Sequence, residues 1–289
     1  MSRAILAPMT YLDYAARGKN AGWRYAVGLC LAFALTALFW ASLILALRLL
    51  RLLPPDLMEQ MQHVRQPATF YLAQGVMFAL LLAGFVAALA IVHGKGPGDI
   101  VGLWRWRGFG LGAATWLCAL IVSSLIDLAI APKGFSITAD ARTPTLAISA
   151  LVGLSAQTFA EEFIFRGYVT QGLLLATRRP VLAAVLSGLV FGALHIPNGG
   201  PQAVNAVVFG VVLALIAIRT GGLAFGYGVH LINNIFGAVV VVSSGDVFRG
   251  SPGLFTQATS GLMWWDAAAG SAALLLLAAL TLRRSDSSL

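Results

Sequence analysis

The chain has 289 residues, of which 59% are hydrophobic and only 10% charged, and its formal net charge is +8. Ordinary soluble domains carry about 25% charged residues. This composition therefore excludes a water-exposed globular protein and indicates a polytopic membrane protein whose surface faces lipid. The basic residues punctuate hydrophobic segments instead of clustering on one soluble face, which argues against nucleic-acid binding and favours contacts with membrane lipids.

Eight segments are apolar enough to span a membrane, since a spanning helix needs about 20 mostly apolar residues. The fourth begins near Thr145 and continues, as one long or one broken helix, to Ala176. In chain order the other seven are Tyr25–Leu47, Thr69–Val92, Phe109–Ile130, Val181–Ile196, Ala203–Ile218, Leu223–Val242 and Met263–Leu282. The sequence therefore predicts an all-α membrane bundle with both termini on one side.

The basic residues between these segments predict the orientation. Of the 19 lysines and arginines, twelve fall on the side of the termini, six on the opposite side, and Arg166 within the membrane. Because cytoplasmic loops carry an excess of Lys and Arg, we expect both termini in the cytoplasm, in a bacterial plasma membrane. The segment Leu50–Gln66 then becomes an external loop or an interfacial helix. Cys30 and Cys118 lie in apolar runs and are expected to be buried hydrophobic residues.

Two adjacent glutamates and an arginine interrupt the fourth span. A charge at the centre of a spanning helix costs roughly 2.5–3.5 kcal/mol on insertion scales, so these residues must be paired, protonated or in contact with water. Glu162 and Arg166 stand at i and i+4 and can form an ion pair. Glu161 points about 100° away around the helix. It is predicted to be a carboxylate free for general-base chemistry.

The fifth and seventh spans contribute two histidines. Phe191 and His195 share one helix face at i and i+4, and so do His230 and Asn234, whereas Asn233 points elsewhere. Each histidine alone could be a packing residue. Together, a carboxylate, two imidazoles and an amide are the groups that amide hydrolysis needs, since they can deprotonate a water and stabilise an oxyanion.

Small residues near these three stretches allow helices to approach closely in lipid. We expect them to bring the polar stretches together around one cavity. The glycines concerned are Gly167, Gly192, Gly199, Gly200, Gly226, Gly228 and Gly237.

The three motifs, in this order and spacing, resemble those of the CAAX protease and bacteriocin-processing family, also called Abi or type II CAAX prenyl endopeptidases. The sequence FRGY after the glutamates strengthens the resemblance, which covers about 75 residues. It implies an intramembrane protease with a conical active-site cavity near the cytoplasmic side. The chain then divides into a cytoplasmic segment (1–24), N-terminal helices (25–140), a catalytic core (141–242), and a C-terminal loop with the last helix (243–289).

The resemblance also implies roles for individual residues. Glu161 corresponds to the catalytic glutamate and His195 to its partner on the water, while His230 and Asn234 correspond to the oxyanion pair. Glu162, Arg166 and Phe191 take structural or positioning roles. Members are commonly labelled metalloproteases, so zinc held by Glu161, His195 and His230 is one alternative and metal-free, glutamate-activated water is the other. The His-Glu-x-x-His arrangement of zincins is absent.

The sequence thus predicts an endopeptidase acting on a peptide or membrane-associated protein substrate. Two alternatives remain: a non-catalytic membrane immunity or scaffold protein, and a proton-coupled transporter, because buried Glu, His and Arg also form proton relays. Two further acidic residues match none of the motifs. Asp127 is interpreted as snorkelling or bonded to another helix, and Asp266, beside Trp264 and Trp265, as part of an interfacial belt.

Overall fold

The computed structural model describes residues 9–53, 66–258 and 263–283 of the chain. Most of the predicted Leu50–Gln66 loop lies outside the described residues, as do Arg3, Arg65 and Arg284 of the orientation argument. Within the described ranges, a helix occupies each of the eight positions that the sequence predicts to span the membrane.

The secondary structure is almost entirely helical. In chain order, the elements are α1 (Tyr11–Ala16), α2 (Gly22–Leu49), α3 (Pro67–Ala88), α4 (Pro97–Val101), α5 (Trp106–Ile130), β1 (Phe135–Ile137), α6 (Thr143–Glu161), α7 (Thr170–Thr177), α8 (Pro180–Ala193), α9 (Gly200–Thr220), α10 (Ala224–Ile235), β2 (Val241–Ser243), β3 (Phe255–Gln257) and α11 (Met263–Arg283). Three π-helical segments extend α3, α6 and α10, at Leu89–His93, Glu162–Val169 and Phe236–Val240. The predicted fourth span is therefore one continuous helix, because the π segment joins α6 to α7.

Five of the described helices are long and apolar enough to cross a membrane. They are Gly22–Leu49, Ala68–His93, Trp106–Ile130, Gly200–Thr220 and Met263–Leu280. Pro180–Ala193 and Ala224–Val240 are apolar but shorter. The all-α, polytopic membrane class is confirmed, whereas the predicted number of eight spans is not.

Glycines bring the helices of the core close together, as the sequence predicts. A Cβ atom on Gly192 would lie 2.2 Å from a methyl group of Val207, and one on Gly228 would lie 2.2 Å from the carbonyl oxygen of Phe109. Gly75 and Gly153 meet in the same way between α3 and α6. Not every predicted glycine serves this purpose, since Gly237 has nothing closer than 3.6 Å.

A three-stranded sheet, which the sequence analysis did not predict, lies at one end of the bundle. The strand order is β1-β3-β2, with β1 antiparallel and β2 parallel to β3. Strand β2 begins at Val241, so the seventh span ends two residues before its predicted end. Strands this short have no periodicity that a sequence reading can separate from an apolar helix end.

The N-terminal segment packs against the opposite end of the bundle. Tyr11 is fully buried, and its hydroxyl donates a hydrogen bond to the carbonyl oxygen of Arg166. The buried Lys95 ammonium donates to the carbonyl oxygen of Ala15 at 2.7 Å. Burial lowers the pKa of Lys95 to about 8. This segment is thus a fixed part of the fold.

Both cysteines are exposed, so the prediction that Cys30 and Cys118 are buried is wrong. In a membrane protein the apolar outer surface faces lipid, and an apolar run does not distinguish that surface from the protein core.

Candidate active site

The ion pair predicted from the glutamate motif is present and completely buried. A guanidinium nitrogen of Arg166 lies 3.2 Å from a carboxylate oxygen of Glu162, and both side chains are about 1% exposed. The guanidinium also lies 4.0 Å from the centre of the Phe191 ring. The Phe191 ring therefore contributes a cation–π contact to the buried arginine.

His230 lies between the two glutamates, a position that sequence spacing does not reveal. Its Nδ1 is 2.7 Å from a carboxylate oxygen of Glu162, a distance at which Nδ1–H donates to the carboxylate. Its Nε2 faces Glu161, at 3.6 Å from a carboxylate oxygen. Glu162 consequently fixes the orientation of the imidazole and turns its other nitrogen toward Glu161.

Glu161 points away from the ion pair and into a cavity. Its carboxylate accepts one hydrogen bond from the side-chain amide of Gln157, at 3.0 Å. Gln157 lies one helical turn before Glu161 and was not singled out in the sequence, although the i, i+4 spacing could have indicated it. The Glu161 carboxylate therefore keeps acceptor capacity directed at the cavity.

His195 follows the end of α8 and is held by Phe191. Its Nδ1 donates to the carbonyl oxygen of Phe191 at 2.8 Å, and the two rings are 4.5 Å apart. Because Nδ1 carries the proton in this hydrogen bond, Nε2 is left as an acceptor.

Asn234 is oriented by two polar neighbours. Its amide donates to the buried Thr158 hydroxyl at 3.1 Å, and its oxygen accepts a long hydrogen bond from Asn233 at 3.4 Å. Asn233 accepts from the indole of Trp116 at 3.1 Å and lines the cavity as well. Asn233 thus bonds to α5 while Asn234 bonds to α6, so the two side chains leave the helix in different directions, as the spacing predicts.

A single cavity of about 440 Å³ brings together the four residues to which the sequence assigns chemistry: Glu161, His195, His230 and Asn234. The cavity is also lined by polar residues that the sequence analysis missed, contributed by α3, the turn between α8 and α9, α9 itself and the β2–β3 loop: Gln74, Asn198, Gln202, Asn205 and Asp246. Burial raises the pKa of Asp246. These residues lie far apart in the chain, and only the helix packing unites them.

The cavity lies toward the end of the bundle opposite the N-terminal segment. It is lined by Gln202 in the first turn of α9 and by Asn198 and Val247 at the sheet end, whereas Arg219 is in the last turn of the same helix. At 1.5 Å per residue, the 21 residues of α9 separate its two ends by about 30 Å. This part of the cavity and the N-terminal segment therefore lie toward opposite ends of the bundle.

The described residues do not form a three-ligand metal site. Within residues 9–53, 66–258 and 263–283, no three His, Cys, Asp or Glu side chains are arranged to hold a metal ion. His230 already directs one ring nitrogen to each glutamate. Catalytic zinc needs three protein ligands around an open position, so this donor geometry does not fit zinc.

Fold and site together define an all-α integral membrane protein with a buried carboxylate–imidazole site. Residues 143–236 match the family of Rce1-like type II CAAX prenyl endopeptidases, and all seven predicted site residues fall within this range. The match covers about a third of the chain, and it agrees with the family resemblance predicted from the three motifs.

The chain is also similar to the Uncharacterized protein YyaK of Bacillus subtilis (strain 168). The two are 31% identical over 170 residues, which make up 55% of this chain and 56% of that protein. The chain thus aligns with little more than half the length of this relative. No solved structure matches it.

Proposed function

We propose that the protein is an intramembrane endopeptidase that hydrolyses a peptide bond of a membrane-associated substrate. The observation that supports this proposal is that one cavity is lined by Glu161 of α6, His195 of the turn after α8, and His230 and Asn234 of α10. This constellation contains a base, a second water ligand and two oxyanion donors, each of which amide hydrolysis uses.

In the proposed reaction, a water molecule is bound between the Glu161 carboxylate and the Nε2 of His195. Glu161 takes a proton from the water, and the resulting hydroxide oxygen bonds to the carbonyl carbon of the substrate. The tetrahedral intermediate carries its negative charge on the former carbonyl oxygen. The C–N bond then breaks, and the proton held by Glu161 passes to the departing amine.

His230 and Asn234 act on the oxyanion in this scheme. The hydrogen bond from Nδ1 of His230 to Glu162 holds the ring in place, so that a second proton on the ring would sit on Nε2 and point into the cavity. Asn234 keeps one amide hydrogen free after donating to Thr158. Glu162 is thus proposed as a positioning residue that acts through His230.

Cleavage of a quenched membrane-peptide library tests the proposal, with the protein in detergent and in liposomes. General acid–base catalysis contributes about 10²–10⁴-fold, so Glu161→Gln is expected to lower kcat by at least about 100-fold without changing the melting temperature. Asp140→Asn, on the exposed surface, is the matched control. Undiminished turnover by Glu161→Gln would exclude Glu161 as the base.

A second arm adds a chelator to the wild-type protein. Undiminished cleavage is expected, because the reaction uses only groups of the chain. Loss of cleavage that zinc restores would favour the metalloprotease alternative. Absence of cleavage by wild type in both media would favour the scaffold or transporter alternatives, and uptake driven by a pH gradient would distinguish these two.

For the orientation, we propose cytoplasmic termini and a cavity mouth on the opposite side of the membrane. Among the described residues, ten basic residues lie at the end of the bundle where the N-terminal segment packs, and five lie at the end with the sheet. Because cytoplasmic loops carry an excess of Lys and Arg, the end with ten is assigned to the cytoplasm. In a background without Cys30 and Cys118, an impermeant maleimide should label Ser136→Cys on intact cells. Ala16→Cys should be labelled only after lysis, and the reverse pattern would overturn this orientation.

A further inference from the structure

A second cavity adjoins the candidate active site. It has a volume of about 600 Å³ and lies between α5 and α11. Four residues line both cavities: Gln202, Asn205, Asn233 and Asp246. A ligand that is long enough can therefore occupy both spaces at once.

Carboxylic acids give the second cavity an acidic character. Asp127 of α5 and Asp266 of α11 line this cavity together. Asp127 is only 4% exposed, and the Oδ1 atoms of both residues are buried without a hydrogen-bond partner. Asp246 lines the same cavity, and no lysine or arginine among the described residues does. Acidic groups thus accumulate here in a chain whose net charge is +8.

A buried amide provides an independent indication of a ligand. Gln257 of β3 lines the cavity and is 6% exposed, and its Nε2 has no hydrogen-bond partner. An unsatisfied buried donor costs about 1–3 kcal/mol, and a ligand carbonyl would satisfy it. The walls around these polar groups are largely apolar, including Trp116, Ile126 and Met263.

The ligand that complements this lining carries a primary ammonium, a carbonyl oxygen and an apolar body. An amino-terminal residue of a peptide and a lysine side chain next to a backbone carbonyl both have this chemistry. A lipid tail would leave all the polar groups unsatisfied, and an anion would be repelled by the carboxylates.

We infer that the second cavity binds a primary ammonium group of the peptide substrate, with Asp127 and Asp266 as its counter-ions and Gln257 as donor to a neighbouring carbonyl. This inference rests on the proposed function, because the peptide extends through the shared residues into the cavity of Glu161. The bond that is hydrolysed accordingly lies a few residues from the ammonium.

The test measures binding separately from cleavage. Fluorescent peptides of one sequence are made in four forms: with a free or acetylated amino terminus, and with lysine or its neutral isostere norleucine. Their affinities for the Glu161→Gln protein are measured by anisotropy in detergent. A peptide with an ammonium group is expected to bind at least about 10-fold more tightly than the doubly neutral peptide. Hydrogen bonds to charged groups contribute enough free energy for a difference of this size. The two single-ammonium peptides show which source the site accepts.

Variants then assign the preference to the cavity. Asp127→Asn in the same background should remove the preference and leave the affinity for the neutral peptide unchanged, whereas Asp140→Asn, the exposed control, should retain it. If Asp127→Asn lowers the melting temperature, Asp266→Asn replaces it in the same test. Equal affinity for all four peptides would overturn the inference, and so would a preference that survives both cavity variants. A proton shared by the two carboxyl groups would then explain why Asp127 and Asp266 lie in the same cavity.

The two proposals fail in different ways. Ammonium-dependent binding without any cleavage by wild type would leave the binding site standing and reject the endopeptidase. Cleavage of neutral and ammonium-bearing peptides with equal kcat/KM would support the endopeptidase and reject the ammonium site.

Discussion

Arg166→Met tests how strongly the cluster of Glu162, Arg166 and His230 depends on charge. The arginine is 0% exposed, and apart from its 3.2 Å ion pair and the Phe191 ring at 4.0 Å, its guanidinium has no hydrogen-bond partner among the described residues. Methionine keeps much of the volume but leaves the Glu162 carboxylate uncompensated. Removing one partner of a buried ion pair costs about 3–5 kcal/mol, so we expect a loss of this size in the free energy of unfolding.

The magnitude is checked by a double-mutant cycle with Glu162→Gln. The glutamine removes the negative charge and can still accept a hydrogen bond from Nδ1 of His230. The free energy of unfolding should therefore fall less in the double variant than the sum of the losses in the two single variants. The expected coupling energy is about 2 kcal/mol, which is within the range for residues in contact. The assay is reversible unfolding in mixed micelles. The exposed pair Arg142 and Asp140 provides the control, and Arg142→Met should cause no measurable change.

Additive losses, or an Arg166→Met protein as stable as wild type, would refute this reasoning. Either result would mean that the Glu162 carboxylate does not depend on the guanidinium for its charge compensation. The proposed positioning of His230 by Glu162 would then need a different physical basis.

Two further predictions concern packing and pH. Gly153→Ala should destabilise the protein by about 1–3 kcal/mol, because the new Cβ would lie 2.0 Å from the carbonyl oxygen of Tyr71. Gly110→Ala is the control and should be neutral or slightly stabilising, since a Cβ there has nothing within 4 Å. Equal melting temperatures of the two variants would contradict the close approach of α3 and α6. Lys95 has a pKa of about 8 against 10.5 for a free lysine. The unfolded chain thus binds more protons between these values, and stability should rise with pH across that window. In Lys95→Met the rise should be smaller, and identical pH profiles of unfolding for the two proteins would contradict the burial of a charged ammonium.

The sequence by itself determined the membrane class, the positions of the eight main helices and the residues that could carry chemistry. Each of these follows from local rules. Apolar length defines a candidate span, and i, i+4 spacing decides which side chains share a helix face. Glu162 therefore pairs with Arg166, and Phe191 holds His195, as the spacing predicts.

Only the tertiary structure decided which faces meet. His230 lies 68 residues from Glu162 in the chain, and their contact depends on how α10 packs against α6 and its π segment. The same packing lets Asn233 line the active-site cavity, and it places Asp127 of α5 and Asp266 of α11 in one second cavity. It also sets the cavity at the end opposite the termini. In lipid, helix association is determined by steric fit and scattered polar contacts, and an apolar sequence does not encode these in a periodicity that can be read along a single helix.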